Sequence, residues 1–346
     1  MLVIEKVSHQ FGPHQVLNNV SLESVGGEVT CLIGHSGCGK TTLLRLLAGL
    51  LRVQSGRILL DGEVLASHKK MMPPEDRPIG MVFQEGALFP HMSVADNVAF
   101  GLPKRGGRKL ATEWLKRVGL ADFAERNPDS LSGGQRQRVA LARAMAPAPR
   151  VLLFDEPYAN LDPPLRRSLR EDARRIIRDT GTVGLFVTHD PAEVLMMADN
   201  VAVLGHGLIV ESGTPQTLYD RPKSRFAAEL FGEPQVFEGT IYEDRIVTPL
   251  GEWERCVLVD PATNNGDASL IVDADHLELQ LDDNGILITD IQSFGRLNRV
   301  SFGGTRGEPT VILNCPKDAG TAIGVGSMVR VAPNPGAVFA SLYTVE

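Results

Sequence analysis

Three short segments of this chain place polar and charged side chains where they could act on a phosphate ester. Gly34-His35-Ser36-Gly37-Cys38-Gly39-Lys40-Thr41 fits the spacing G-x-x-x-x-G-K-[ST]. In that spacing successive backbone N–H groups can turn toward phosphate oxygens, Lys40 can reach the β and γ phosphates, and the Thr41 hydroxyl can hold Mg²⁺. Asp155 and Glu156 close the apolar run Val151-Leu152-Leu153-Phe154. Carboxylates at the end of a buried strand stand where open parallel sheets bind ligands, Asp155 suited to the Mg²⁺ shell and Glu156 to polarising an attacking water as general base. Leu131-Ser132-Gly133-Gly134-Gln135 opens a helix, with Ser132 as its N-cap and two glycines that permit close approach of a ligand.

These groups need a scaffold, and the hydropathy pattern predicts one. Strand, glycine-rich loop and helix follow one another at 29–33, 34–40 and 41–49, and short strands are expected at 58–60 and 81–83. From about 94 to 119 the pattern is helical, with Leu110, Trp114, Leu115 and Val118 as one apolar stripe and a basic, solvated interruption at 104–109. A helix at 135–145, strand at 151–154, helix at 165–179, strand at 183–188, helix at 191–198 and strand at 201–204 complete an alternating series. That alternation predicts a parallel sheet covered by helices. Near Gly232 the character changes to short alternating segments, at 269–272, 277–281, 285–289, 310–313 and 328–331, separated by Gly, Asn, Asp and Pro. These predict a small all-β barrel of about 110 residues.

Composition narrows the partners. The chain has 346 residues, and 35 Lys and Arg against 42 Asp and Glu leave a charge of −7, which argues against a dedicated nucleic-acid binder. No stretch approaches the roughly 18 apolar residues that span a bilayer, and the N-terminal residues lack a secretory layout, so the cytoplasm is the expected compartment. Cys31, Cys38, Cys256 and Cys315 are too few and too scattered for a disulfide framework or a closed zinc site.

The combination of motifs resembles the ATPase subunit of ABC transporters. Leu131 to Ala144, LSGGQRQRVALARA, is similar to that family's signature; Gly34 to Thr41 resembles its Walker A and Val151 to Pro157 its Walker B. Phe11 and Val16 fall where the family places an adenine-stacking aromatic and a ribose-side apolar residue. Phe11 stands where Tyr is frequent, keeping the stacking face. Gln84 matches the Q-loop, Ala159-Asn160-Leu161-Asp162 the D-loop, with Asn160 where Ala is usual, and His189 the switch histidine. The resemblance implies an ABC nucleotide-binding domain over 1–232, a mixed sheet with helices and a helical subdomain at about 85–145. Over 233–346 it implies an OB-type regulatory β domain. In that domain Val272-Asp273-Ala274-Asp275-His276-Leu277 departs from the usual pattern, so no effector site is assigned there.

What the resemblance implies for the site is a head-to-tail homodimer with two ATP molecules at its interface. ATP would be bound by Phe11, Val16, Gly34, His35, Ser36, Gly37, Cys38, Gly39, Lys40, Thr41, Thr42 and Asp162 with, across the interface, Ser132, Gly133, Gly134 and Gln135. Glu156, His189 and Gln84 would be catalytic, and Thr41, Gln84 and Asp155 would hold Mg²⁺. The implied partners are a second copy, permease subunits at the cytoplasmic face of the inner membrane, and a periplasmic binding protein acting indirectly. The apolar segment 86–92 either receives permease helices or packs internally. A non-transport ABC-type ATPase is the alternative of another class, although the chain shows neither a second ATPase domain nor a coiled-coil insertion. Residues 83–91 and 165–172 look like the ferric-iron branch of binding-protein-dependent importers, with polyamine or other small-solute import as the alternative.

Overall fold

A computed structural model of the chain describes all residues except 84–85, 159–160, 221, 232–234, 255–264, 273–275, 296, 304–310, 317–322, 335–339 and 343–346. It divides into two compact units, Met1–Pro215 and Gln216–Glu346.

The first unit begins with β1 (Leu2–Phe11), β2 (His14–Ser24), β3 (Val29–Ile33), α1 (Lys40–Ala48), β4 (Ser55–Leu60), β5 (Glu63–Ser67) and β6 (Ile79–Val82). It continues through α2 (Val94–Ala99), α3 (Gly107–Arg117), α4 (Gly133–Met145), β7 (Val151–Asp155), α5 (Pro163–Thr180), β8 (Val183–Thr188), α6 (Pro191–Met197), β9 (Asn200–Gly205) and β10 (Leu208–Gly213). β2-β1-β4-β5 form an antiparallel sheet, and β10-β9-β3-β8-β7-β6 a second sheet in which only the edge strand β10 runs antiparallel. β3 and β8 are buried at every position, as parallel strands covered on both faces must be. The register Ile33↔Thr188 and Asp155↔Val187 brings the carboxyl ends of β3, β8 and β7 side by side. Loops leaving those ends therefore converge, whatever their separation in the chain.

α1 buries Leu43, Leu44, Leu46 and Leu47 against this sheet and ends at Gly49, whose left-handed conformation lets its N–H reach the Arg45 and Leu46 carbonyls. The stretch expected to be helical at 94–119 is two helices, α2 and α3, with 100–106 outside both. Leu110, expected on the buried stripe, is 38% exposed; the small Ala111 beside it is buried instead. Asn97, fully buried on α2, ties the preceding segment down by accepting from Phe89 N–H at 2.8 Å and donating to Phe89 O at 3.1 Å. No helix among the described residues is long and apolar enough to cross a membrane.

The second unit opens with α7 (Pro215–Asp220), which starts at the boundary, and α8 (Arg225–Phe231). Among the described residues nine strands follow: β11 (Gln235–Ile241), β12 (Arg245–Thr248), β13 (Gly251–Glu254), β14 (Gly266–Val272), β15 (Leu277–Phe294), β16 (Leu297–Phe302), β17 (Val311–Pro316), β18 (Met328–Pro333) and β19 (Ala340–Leu342). This region is all-β, as expected, and its described strands form antiparallel sheets in the orders β13-β12-β11-β14-β19 and β17-β16-β15-β18. Both contribute to one core containing Phe237, Trp253, Leu270, Phe302 and Val329. The segments 277–281 and 285–289, expected as two strands, are one strand, β15, whose register on β18 slips between Leu281 and Ile286. The slip sits at Gly285, where a Cβ would come within 2.2 Å of the Val329 carbonyl oxygen.

Candidate active site

The loop between β3 and α1 has the backbone its sequence requires. Gly37 (φ 82°) and Gly39 (φ 112°) are left-handed, and a Cβ on Gly39 would lie 2.7 Å from Leu17 Cδ2 and 2.9 Å from Val16 O. Only glycine meets both conditions at 39. Gly34 is equally confined, its missing Cβ falling 2.2 Å from Leu204 O. Lys40 is 6% exposed, and its ammonium donates to Gly34 O at 2.6 Å and His35 O at 2.9 Å, with Cys38 Sγ at 3.8 Å. The lysine is thus held within the curl of the loop, at the start of a helix whose N–H groups and dipole favour anions. Ser36 and Thr42 lie on the loop and in the first turn of α1.

Thr41 Oγ1 donates to Asp155 Oδ1 at 3.4 Å, joining the helix start to the end of β7. These are hard oxygen donors from two elements, and they fit a cation such as Mg²⁺ that completes its shell with phosphate and water. Burial, and then the neighbouring Glu156, raise the Asp155 pKa above the usual carboxylate value, against the opposing effect of Thr41, Arg45 and Lys40. Bound cation charge acts in the opposite sense.

Glu156 sits one residue beyond β7 in a left-handed conformation (φ 44°), its N–H donating to Val187 O at 3.2 Å on β8. Its Oε2 lies 3.1 Å from His189 Nδ1, just past the end of β8. The sheet therefore brings together Lys40, Thr41, Asp155, Glu156 and His189, five of the residues singled out in the sequence. A cleft of about 970 Å³ lined by Ile4, Arg57, Thr30 and Val201 contains none of them.

Other candidates take defined places. Ser132 caps α4 in a capping box, its Oγ accepting from Gln135 N–H at 3.3 Å and its N–H donating to Gln135 Oε1 at 2.9 Å. The missing Cβ atoms of Gly133 and Gly134 would fall 3.0 Å from Leu161 and 2.6 Å from Leu165, so this helix start is seated against the start of α5. Asp162, expected to bind ATP, caps α5 by accepting from Leu165 N–H at 3.3 Å. Phe11, at the tip of the β1–β2 hairpin, is 49% exposed and packs edge-on against His9, ring centroids 4.7 Å apart. Val16, on the same hairpin, touches the phosphate loop at Gly39. Gln84 and the D-loop residues Ala159 and Asn160 lie outside the described residues. Sequence reasoning missed the buried side chains behind His189, namely Thr188, Glu193 and Arg170. A helix start with Asp190 at its cap and Glu193 three residues on was the available signal.

A family model for ABC transporters matches residues 17–159, from within β2 to just past the Walker B segment. The Fe(3+) ions import ATP-binding protein FbpC of Vibrio cholerae is 47% identical over 243 residues, which are 69% of this chain and 68% of that one. The chain belongs to the ABC transporter family. The spermidine/putrescine import ATP-binding protein PotA of Marinobacter nauticus is 46% identical over 246 residues, 70% of this chain and 65% of that protein. The solved structure of cbiO1 from Clostridium perfringens, part of the ABC transporter complex cbiONQ, aligns with a TM-score of 0.58 at 32% identity, covering 64% of this chain and 90% of the other. As an ABC transporter ATPase, this chain binds nucleotide, and the loops at the ends of β3, β7 and β8 are where the family likeness and the geometry coincide.

Proposed function

We propose that two copies of this chain bind ATP with Mg²⁺ between them and hydrolyse it to drive import of ferric iron through a membrane permease. The observation that carries the hydrolytic part is the 3.1 Å contact between Glu156 Oε2 and His189 Nδ1 at the ends of adjacent strands, beside the phosphate loop. Glu156 accepts the proton of the attacking water. His189 holds that carboxylate through Nδ1, leaving its other nitrogen for the γ-phosphate. Lys40 and the loop N–H groups carry the phosphate charge, and Phe11 stacks on the adenine. Thr41, Asp155 and Gln84 would hold Mg²⁺, which when bound would supply positive charge for the phosphate oxygens. Ser132 and Gly134 of the second copy close the site, so one copy alone is incomplete.

The permease would dock at the cytoplasmic face of the membrane, against segment 86–92. Arg143 braces that segment by donating to Gly86 O at 3.0 Å and Ala87 O at 2.7 Å, and the neighbouring Phe100 is 60% exposed. Iron as cargo follows the likeness to the Vibrio protein; a second reading, polyamine import, is favoured by the nearly equal identity to the Marinobacter protein. No role for nucleic acid is proposed. A periplasmic binding protein would deliver the cargo to the permease.

Two measurements test this. Glu156→Gln should retain ATP binding while turnover falls on the order of 10²-fold or more; a wild-type rate would remove Glu156 as base. Deleting the gene should lower uptake of labelled Fe³⁺ and leave labelled spermidine uptake unchanged. The reverse pattern would assign the polyamine cargo.

A further inference from the structure

His189 is 56% exposed, yet the residues on either side of it are pinned from behind. Thr188 is 1% exposed; its hydroxyl donates to Glu193 Oε2 at 2.5 Å and accepts from Asp190 N–H at 3.0 Å. One hydroxyl therefore spans the histidine, fixing the backbone before and after it. Glu193 is 4% exposed and its other oxygen pairs with Arg170, itself 7% exposed, on α5. Arg170 also reaches Met196 Sδ at 3.5 Å, and Asp190, 4.0 Å from Arg170, caps α6 through Ala192 N–H. Every bond in this chain of contacts terminates on the two residues flanking His189 or on the helices α5 and α6. A packing role alone would be filled as well by apolar side chains, because burying an ion pair gives little net stability.

We propose that Thr188, Glu193 and Arg170 are positioning residues that hold the His189 imidazole against Glu156. The proposal rests on the reading of Glu156 and His189 as catalytic and adds residues that touch neither nucleotide nor metal. It also gives α5, whose cap Asp162 closes the D-loop segment, a rigid connection to the histidine loop. Movement of that helix would reach His189 through Arg170 and Glu193.

Thr188→Val keeps the shape and removes the hydroxyl; Thr188→Ser restores it. In the full chain, Thr188→Val should lower kcat about tenfold, within the 10–100-fold range seen when a supporting partner is lost, with KM for ATP unchanged. Thr188→Ser should turn over at the wild-type rate. The histidine ring resonance that disappears in His189→Ala should be displaced in Thr188→Val and return in Thr188→Ser. In a His189→Ala background, Thr188→Val should produce no further fall, because the two act as one unit. Glu193→Gln, which keeps the side-chain size, gives a second route to the same readouts if the valine variant does not fold. Wild-type kcat in these variants, or an equal fall in both backgrounds with the His189 resonance undisturbed, would overturn the proposal and leave the hydrolytic reading intact. A wild-type rate in His189→Ala would instead sink that reading, and this proposal with it.

Discussion

His189 Nδ1 stands 3.1 Å from Glu156 Oε2, a contact made possible because β7 and β8 are parallel neighbours that end at the same level. Holding Glu156 there requires a left-handed backbone, φ 44°, that a residue with a Cβ adopts at a cost of about 1 kcal/mol. Glu156→Ala and Glu156→Gly should both abolish turnover. The glycine variant should be the more stable of the two by about 1 kcal/mol in denaturant unfolding, because only glycine adopts that φ freely. Equal stabilities would mean that the backbone at 156 is not strained.

The raised pKa of Asp155 makes a pH-dependent prediction. A carboxyl whose folded pKa lies above its unfolded value binds more protons when folded, so stability falls as pH rises from its ordinary value through the raised one. At neutral pH the half-buried anion beside Glu156 therefore opposes folding. Asp155→Asn should raise the melting temperature of the nucleotide-free chain at pH 7, and the gain should shrink as the pH is lowered through the Asp155 pKa. The same variant should lose Mg²⁺-dependent turnover. A gain that persisted unchanged at acid pH would show that charge is not its source.

The phosphate loop, β7 and β8 are legible in the sequence because local rules suffice there: an uninterrupted apolar run is a buried parallel strand, and glycines at 37 and 39 answer to positive φ. The pairing of β1 with β2 and β4 in their own sheet is not legible, since alternation tells a strand which face to bury and not which partner to choose. Leu110 is misplaced because the buried face of α3 runs through Ala111, Trp114 and Leu115, and a small alanine fills that face beside it. The Thr188–Glu193–Arg170 contacts join α5 and α6 through buried charge; the Asp190–Glu193 spacing marks the start of α6 but not the partner on α5. Asp162 shows the converse: read in the sequence only through the D-loop resemblance, it also caps α5, a role its place before two prolines could have announced.

Gly39 and Gly37 should respond differently to alanine. Both have positive φ, but only Gly39 has atoms within 3 Å of the missing Cβ, including the rigid Val16 carbonyl. Gly39→Ala should destabilise the chain by about 1–3 kcal/mol and abolish ATP binding, combining overpacking with backbone strain. Gly37→Ala carries the strain alone and should lose about 1 kcal/mol. Comparable losses at the two positions would deny the contact with Val16 its part.

Ser132 is exposed while the glycines after it are seated on Leu161 and Leu165, an arrangement that presents the helix start outward. If that surface completes the second copy's site, Lys40→Ala and Ser132→Arg are defects on opposite sides of one interface. Each homodimer should be inactive, whereas a mixture should contain heterodimers with one intact site of the two. ATPase activity in the mixture no higher than in either parent would argue that the site is not shared in this way.

Phe11 offers the test of the base-binding end. It is 49% exposed at the tip of the β1–β2 hairpin, and Val16 on the returning strand touches Gly39, so the hairpin is tied to the phosphate loop. The ring meets that of His9 at a 74° interplanar angle. An edge-on neighbour leaves the ring orientation supported without covering both faces. Stacking of a base on an aromatic side chain contributes about 1–3 kcal/mol, so Phe11→Ala should raise the ATP dissociation constant about tenfold, and Phe11→Tyr, which keeps the face, should leave it nearly unchanged. Because stacking ignores base identity, GTP should lose affinity in Phe11→Ala by a similar factor. Titration of the nucleotide-free chain with fluorescent ATP and GTP analogues measures both, and unchanged affinity in Phe11→Ala would place the base elsewhere.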